Sequence, residues 1–242
     1  MLTTVPLESA TDLIGRLADL NRIGIALSQE KNLDRLLEAI LLAAKQITRA
    51  EGGTLYRRIA TPQDSLRFEI IRNEALGIAM GGTTGVKIPF EPLPLRDAEG
   101  RENTAMVAAY AVLRDQTVAV ADAYATKDFD FSGTKAFDLQ TGYRSRSFLT
   151  VPLKDHEDTI IGVLQLINAR NRITGAVTEF GEMDIHLAES LASQAAMALT
   201  NRLLLLQLED LFESFIKLIN KAIDEKSPYT AGHCARVPVL TM

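Results

Sequence analysis

The stretch Ile161-Gly162-Val163-Leu164-Gln165-Leu166-Ile167-Asn168 is a nearly continuous apolar run. Such a run suits a central strand covered on both faces, because neither face alternates with polar residues. Gly162, near its start, permits close approach of a neighbouring element. A partner strand lies just upstream. Phe148 to Leu153 and Thr159 to Asn168 flank the acidic turn Lys154-Asp155-His156-Glu157-Asp158, which predicts an antiparallel pair.

Helical periods surround that pair. Over residues 8–29, Leu13, Leu17, Leu20, Gly24 and Leu27 recur at alternating four and three spacing, an apolar seam broken at Gly24. A second helix is expected from about Leu33 to Thr48, with Asn32 as its N-cap and Leu36, Leu37, Ile40, Leu41, Ala44 and Ile47 in its buried stripe. Gly52 and Gly53 are expected to end it. Two strands follow, 54–60 and 66–73, about the turn signal Thr61-Pro62-Gln63-Asp64. In the second, Leu66, Phe68 and Ile70 alternate with Arg67, Glu69 and Ile71, which predicts one buried face. Residues 77–102 are rich in Gly and Pro and read as loop, with a short strand near 86–91. A helix over 103–115, a strand from Val118 to Val120 and a polar, aromatic-studded loop from Asp122 to Gly142 complete the middle. The last helix is expected to start near Thr178, with Glu179 and Glu182 in its first turn, and to reach about Lys226.

The second half of that helix carries Leu204, Leu208, Leu211, Phe215, Leu218 and Ala222 at four-three spacing, and Asn201 and Met197 extend the series backward. A 3.5-residue repeat implies a partner helix in a left-handed supercoil. The other reading is an amphipathic helix lying on its own domain. The expected class is α+β: a central antiparallel sheet of about six strands, helices on both faces, and long N- and C-terminal helices.

Composition narrows the functions. Formal net charge is -5 in 242 residues, and no basic patch interleaved with aromatics occurs, so nucleic-acid binding is not expected. The single cysteine, Cys234, allows no intramolecular disulfide and fits a cytoplasmic protein. No apolar run approaches the roughly 18 residues of a membrane span. The N-terminus, with Glu8 and Asp12, does not read as a signal peptide. His186 and Glu182 lie one turn apart, too few ligands for a good metal site. His156 falls in the acidic turn. No cysteine before residue 200 could carry a covalent bilin, and haem would need His156 or His186 in the pocket. Gly81-Gly82-Thr83-Thr84-Gly85-Val86-Lys87 lacks the Gly-Lys-Ser/Thr ending of a phosphate loop. No nucleophile, base and orienter set is apparent.

Several motifs occur in order: Asp122-Ala123-Tyr124, Asp128-Phe129-Asp130-Phe131, Thr141 to Leu149, Val151-Pro152-Leu153, and Ile161 to Asn168. Together they resemble the GAF domains of cyclic-nucleotide phosphodiesterases and cyclases, over about residues 30–200. The resemblance implies the GAF fold and a small-molecule pocket on one sheet face, roofed by residues 77–102 and 121–147. Tyr110, Asp122, Tyr124, Phe129, Phe131, Phe137, Tyr143, Arg144 and Arg146 are the candidate ligand-binding residues. The aromatics either line the pocket or pack the loop onto the sheet. Arg144 and Arg146 share a face in an extended chain, and either bind an anionic ligand or pair with Asp122, Asp128 or Asp138. The cyclic-nucleotide subset has a further pattern, matched here by Asn168, Phe180 and Asp184. Its Lys is replaced by Ala169 and its Glu by Ile185. The usual Lys–Asp ion pair is therefore lost, with Arg170 as a substitute partner for Asp184. A cyclic nucleotide remains one candidate ligand.

From Lys226 the chain reads Lys-Ser-Pro-Tyr-Thr-Ala-Gly-His-Cys-Ala-Arg-Val. This resembles the opening of an HD-GYP domain, the metal-dependent phosphodiesterase family that cleaves cyclic di-GMP. The resemblance makes His233 the first ligand of a site whose remaining motifs would lie beyond Met242. The expected organisation is an N-terminal signalling and dimerisation helix at 1–29, a GAF domain at 30–200, a coiled-coil linker at 201–226, and the start of an HD-GYP domain at 227–242. The seam Leu204, Leu208, Leu211, Phe215 and Leu218, with the N-terminal helix, would make a homodimer. No cofactor is expected in this chain, and divalent metals in a full HD-GYP domain. The implied role is a non-enzymatic sensor of a bacterial signalling protein, relaying ligand state to a phosphodiesterase. The alternative is a ligand-free GAF dimerisation scaffold.

Overall fold

The computed structural model of the chain describes residues 7–60 and 63–226. His233 and the segment 227–242 lie outside the described residues. Residues up to Thr200 form one compact unit and residues from Asn201 a second.

In the first unit, α1 (Leu7–Gln29) and α2 (Leu33–Thr48) precede β1 (Ala50–Ile59), β2 (Ser65–Asn73) and β3 (Ile78–Gly81). A 3-10 turn (Gly82–Thr84), β4 (Leu93–Pro94), α3 (Val107–Arg114), β5 (Val118–Val120) and α4 (Ser132–Thr141) follow. β6 (Phe148–Lys154), β7 (Ile160–Arg170) and β8 (Val177–Thr178) complete the sheet, and α5 spans Glu182–Lys226. The strands run in the order β3-β2-β1-β7-β6-β5, with β4 on β2 and β8 on β7. Every pairing is antiparallel. The α+β class and the six-strand path match the sequence expectation, with two short strands added at the margins.

β7 sits between β1 and β6, as its apolar run requires, with Leu164 paired to both Leu55 and Val151. A Cβ on Gly162 would strike the Tyr56 carbonyl oxygen, so the glycine is what lets β1 lie against β7 here. α2 covers the face made by Gly53, Leu55 and Leu166. The opposite face carries Tyr56, Leu66 and Val163 in one cluster with Ala108, Ala109 and Val112 of α3. Asn32 caps α2, its side chain accepting from the Arg35 N–H at 2.9 Å. In α5, Leu187, Ala188, Leu191, Ala192, Ala195, Ala196 and Leu199 are buried. α1 lies against α5 at Gly24, where an added Cβ would strike the Gln194 side chain. The glycine that breaks the α1 seam is thus a close-packing position.

Four expectations need correction. Gly52 and Gly53 do not end α2; the helix stops at Thr48, with Arg49 in the left-handed region (φ 56). Both glycines sit inside β1, and a Cβ on Gly53 would lie 2.8 Å from the Gln165 carbonyl oxygen and 2.9 Å from Leu41 Cδ1. The short strand lies at 78–81 rather than 86–91, because β3 pairs with the end of β2. The polar loop over 122–142 contains α4. The last helix starts at Glu182, since Val177–Thr178 pairs with β7 instead.

The alternation in β2 is also interrupted. Leu55 pairs with Ile70 and Tyr56 with Phe68, so Glu69 is an extra residue, a β-bulge. Leu66 and Phe68 therefore face α3, while Ile70 turns to the α2 face. The Glu69 carboxylate is held by Arg57 at 2.7 Å and Arg67 at 2.6 Å.

Candidate functional site

A cavity of about 620 Å³ lies on the α3 side of the sheet. Its walls are mostly apolar: Phe68 and Ile71 on β2, Phe90 and Leu93 on the following segment, Phe131 and Phe137 from the α4 region. Volume and lining are those of a ligand pocket. Its floor is polar. Thr54 of β1 pairs directly with Gln165 of β7, and Gln165 pairs with Thr150 of β6. Three polar side chains thus make one rung across the three central strands. The Tyr56 hydroxyl donates to Gln165 Oε1 at 3.2 Å, and Gln165 Nε2 donates to Thr150 Oγ1 at 3.2 Å. Burial pushes the Tyr56 hydroxyl well above its ordinary pKa, so it stays neutral.

Beside this floor, Asn168 (φ 57) ties three segments together. Its side-chain oxygen accepts from the Arg146 N–H at 2.7 Å, and its amide nitrogen donates to Glu51 at 2.9 Å, Tyr143 at 2.8 Å and the Arg144 carbonyl at 2.9 Å. Tyr143 donates to the same Glu51 oxygen at 2.6 Å, and Arg170 pairs with Glu51. Burial works to raise the Glu51 pKa, but bonds from Tyr143, Asn168 and Arg170 outweigh it and hold the carboxyl below its usual range. Burial, reinforced by the adjacent Glu51, raises Tyr143.

The other sequence candidates hold the roof in shape. Asp138 is buried and accepts from the Tyr124 hydroxyl at 2.8 Å, the Ser145 N–H at 2.7 Å and the Ser145 hydroxyl at 2.9 Å. The Arg144 guanidinium stacks 4.3 Å from the Tyr124 ring centre. Arg146 reaches Asp122 at 3.5 Å. Tyr110 and Phe129 meet edge to face at 5.2 Å. Phe131 and Phe137 line the cavity, while the remaining candidates are absent from its walls.

Residues 32–199 match the GAF domain family. The chain belongs to the GAF family. A cGMP-specific 3',5'-cyclic phosphodiesterase of Drosophila sechellia is 29% identical over 166 residues, 66% of this chain and 12% of that protein. The corresponding enzyme of Drosophila virilis is 26% identical over 166 residues, 66% of this chain and 16% of its own length. The chain therefore spans only a small part of these relatives. Among solved structures, a GAF domain from a Coxiella burnetii phosphoenolpyruvate-protein phosphotransferase superposes with TM-score 0.55 at 13% identity, covering 76% of this chain and 92% of that one. Its Acinetobacter counterpart gives 0.53 at 16% identity, covering 76% and 92%. These likenesses establish the fold.

Within the GAF pattern, one expected substitute is wrong. Arg170 pairs with Glu51, not Asp184. The Asp184 carboxylate instead meets Arg16 of α1, which also donates to the Ile47 carbonyl at 2.9 and 2.6 Å. The missing Lys is thus replaced by a cation from outside the motif, which no local pattern could have shown. The floor residues Thr54, Tyr56 and Gln165 were also missed. Their signal was present: Gln165 interrupts the β7 apolar run, and Thr150 interrupts β6 at the paired position.

His186 is exposed beside Glu189 at 3.6 Å, and His156 beside Glu157 at 4.0 Å. Among the described residues, no three His, Cys, Asp or Glu are grouped to hold an ion. No helix among them is long and apolar enough to cross a membrane.

Proposed function

We propose that this chain is the small-molecule-sensing GAF module of a cytoplasmic bacterial signalling protein. The cavity carries the reading: a pocket of about 620 Å³ with apolar walls and a polar rung at its floor suits a ligand better than it suits a packed scaffold core. The roof over 121–147 hangs on the Asp138 and Asn168 networks, so ligand contact with Phe131 or Phe137 would bias the same segment those networks order.

The output is a homodimer built through α1 and the C-terminal part of α5. In the second unit the heptad residues Leu204, Leu208, Leu211, Phe215 and Leu218 are exposed, Leu211 to 66%. A helix with that stripe wants a partner. The segment from Lys226 to Val237 supports an HD-GYP phosphodiesterase as the regulated domain, with His233 its first metal ligand and divalent metals its cofactors. Hydrolysis of cyclic di-GMP belongs to that domain, and this chain alone is a regulator without turnover. Coupling requires the ligand to bind one helix arrangement better than the other.

The test is the melting temperature of the purified chain against cyclic nucleotides, cyclic dinucleotides and common metabolites. A ligand at 100 times its dissociation constant adds about 2.7 kcal/mol, an easily read shift. A saturable shift supports the sensor. No shift from any compound, with no small molecule retained in native mass spectrometry, supports the scaffold reading instead.

A further inference from the structure

We propose that the cavity takes an uncharged, ring-bearing ligand with a hydrogen-bonding edge, and discriminates against phosphate-bearing ones. This rests on the sensor reading above and gives its ligand a chemical class. The polar groups at the floor are all neutral: Thr54, Gln165 and the Tyr56 hydroxyl line the cavity, and Thr150 holds the Gln165 amide from behind. An amide and two hydroxyls offer both donors and acceptors, which suits a lactam, carboxamide or heterocyclic edge. The side walls are aromatic. Tyr56 and Phe68 lie 4.7 Å apart at their ring centres, and Phe68 and Phe90 5.4 Å, toward β2. Phe131 and Phe148 lie 4.8 Å apart toward β6. Rings on both flanks favour a planar, apolar body.

The charged groups decide against an anion. Arg72 contributes to the lining, but its guanidinium is turned to the α2 side. It donates to Glu38 at 2.6 Å, to the Ile71 carbonyl at 2.8 Å and to the Met80 carbonyl at 2.7 Å. Its charge and both terminal nitrogens are already engaged. The other charged residues of the lining are acids, Glu91 and Asp130, both exposed. Arg144 and Arg146, the sequence candidates for anion binding, are engaged with Tyr124 and Asp122 and do not line the cavity. A buried phosphate would therefore lack a cation to offset its desolvation, and would share the lining with two carboxylates. Two helices start at the wall. The Ser132 N–H at the head of α4 is taken by Asp130 at 2.8 Å. At the head of α3 the cap Met106 makes no side-chain bond. A helix terminus supplies about half a positive charge, which does not offset two acids.

The experiment uses the full chain and a set of uncharged heteroaromatic fragments, each paired with its carboxylate or phosphate analogue, guanosine with cyclic GMP among them. Binding is read by ligand-observed NMR on wild type, Gln165→Leu and Thr54→Val, with each variant's fold checked by circular dichroism. The uncharged member of a binding pair is expected to bind about tenfold or more tighter than its anionic partner. Losing the Gln165 amide should cost an uncharged binder about tenfold. Should Gln165→Leu misfold, Thr54→Val carries the same comparison. Anionic members that bind as tightly as the uncharged ones, and lose affinity in these variants, would overturn the ligand class while leaving the sensor standing. Fragments of neither class responding to the floor variants would overturn both.

Discussion

Glu51 is a buried carboxylate shared by Tyr143, Asn168 and Arg170, and it joins β1 to the strand entrance at 143–147. Its pKa in the fold is lowered, so its charged form stabilises the native state. That contribution is complete above the ordinary glutamate pKa and is lost as pH falls through the depressed folded value. Glu51→Gln is expected to cost about 1–3 kcal/mol near neutral pH, because a charged hydrogen-bonding partner is removed. The gap to wild type should narrow in acid, read by urea unfolding at several pH values. A gap independent of pH would contradict the assignment. Gly162 makes a different kind of residue-scale claim. A Cβ there meets β1 backbone rather than the end of a flexible side chain. Gly162→Ala should therefore destabilise by about 1–3 kcal/mol, as overpacking does, and an unchanged urea midpoint would refute the close approach.

At the scale of elements, the C-terminal part of α5 presents more than one heptad stripe. Leu205, Phe212, Ile216 and Ile219 are exposed beside Leu204, Leu208, Leu211, Phe215 and Leu218. Leu211→Asp is expected to convert a dimer to monomer at micromolar concentration in analytical ultracentrifugation. A variant that stays dimeric would show that the seam is not the interface. Elements whose partners are implied by their own composition were legible in the sequence: β7 from its apolar run, α2 from its stripe and Asn32 cap. α4 was not, because Ser132–Thr141 buries only Asp138, and a lone buried carboxylate makes no apolar period. The bulge at Glu69 was not legible either, since register is a property of the pair β1–β2 and not of one strand. The cavity floor fell between these cases. Gln165 and Thr150 are polar breaks in apolar strands that the sequence reading passed over, and their meeting in one rung needed the pairing of β6 with β7.

For the whole molecule, of the two roles the sequence left open for the aromatic loop, packing the roof describes most of its residues, with Phe131 and Phe137 lining the cavity and Thr54, Tyr56 and Gln165 making its polar floor. Position 169, where the cyclic-nucleotide pattern has Lys, is an alanine here, and Arg16 of α1 holds Asp184 instead, tying α1 to the head of α5. Arg16→Ala is expected to lower stability and loosen α1, seen as faster amide exchange in α1 but not in β7. Equal exchange in both variants' α1 would contradict that role. The central claim is that the cavity over Thr54 and Gln165 is where a ligand acts, and filling it tests this most directly. Ile71→Trp places a large side chain into the lining. The measurement is the ligand-induced melting shift of wild type and Ile71→Trp, using any compound that stabilises wild type. A saturable shift is expected in wild type and none in the folded variant. Equal shifts in both would place the ligand elsewhere and rule out this cavity as its site.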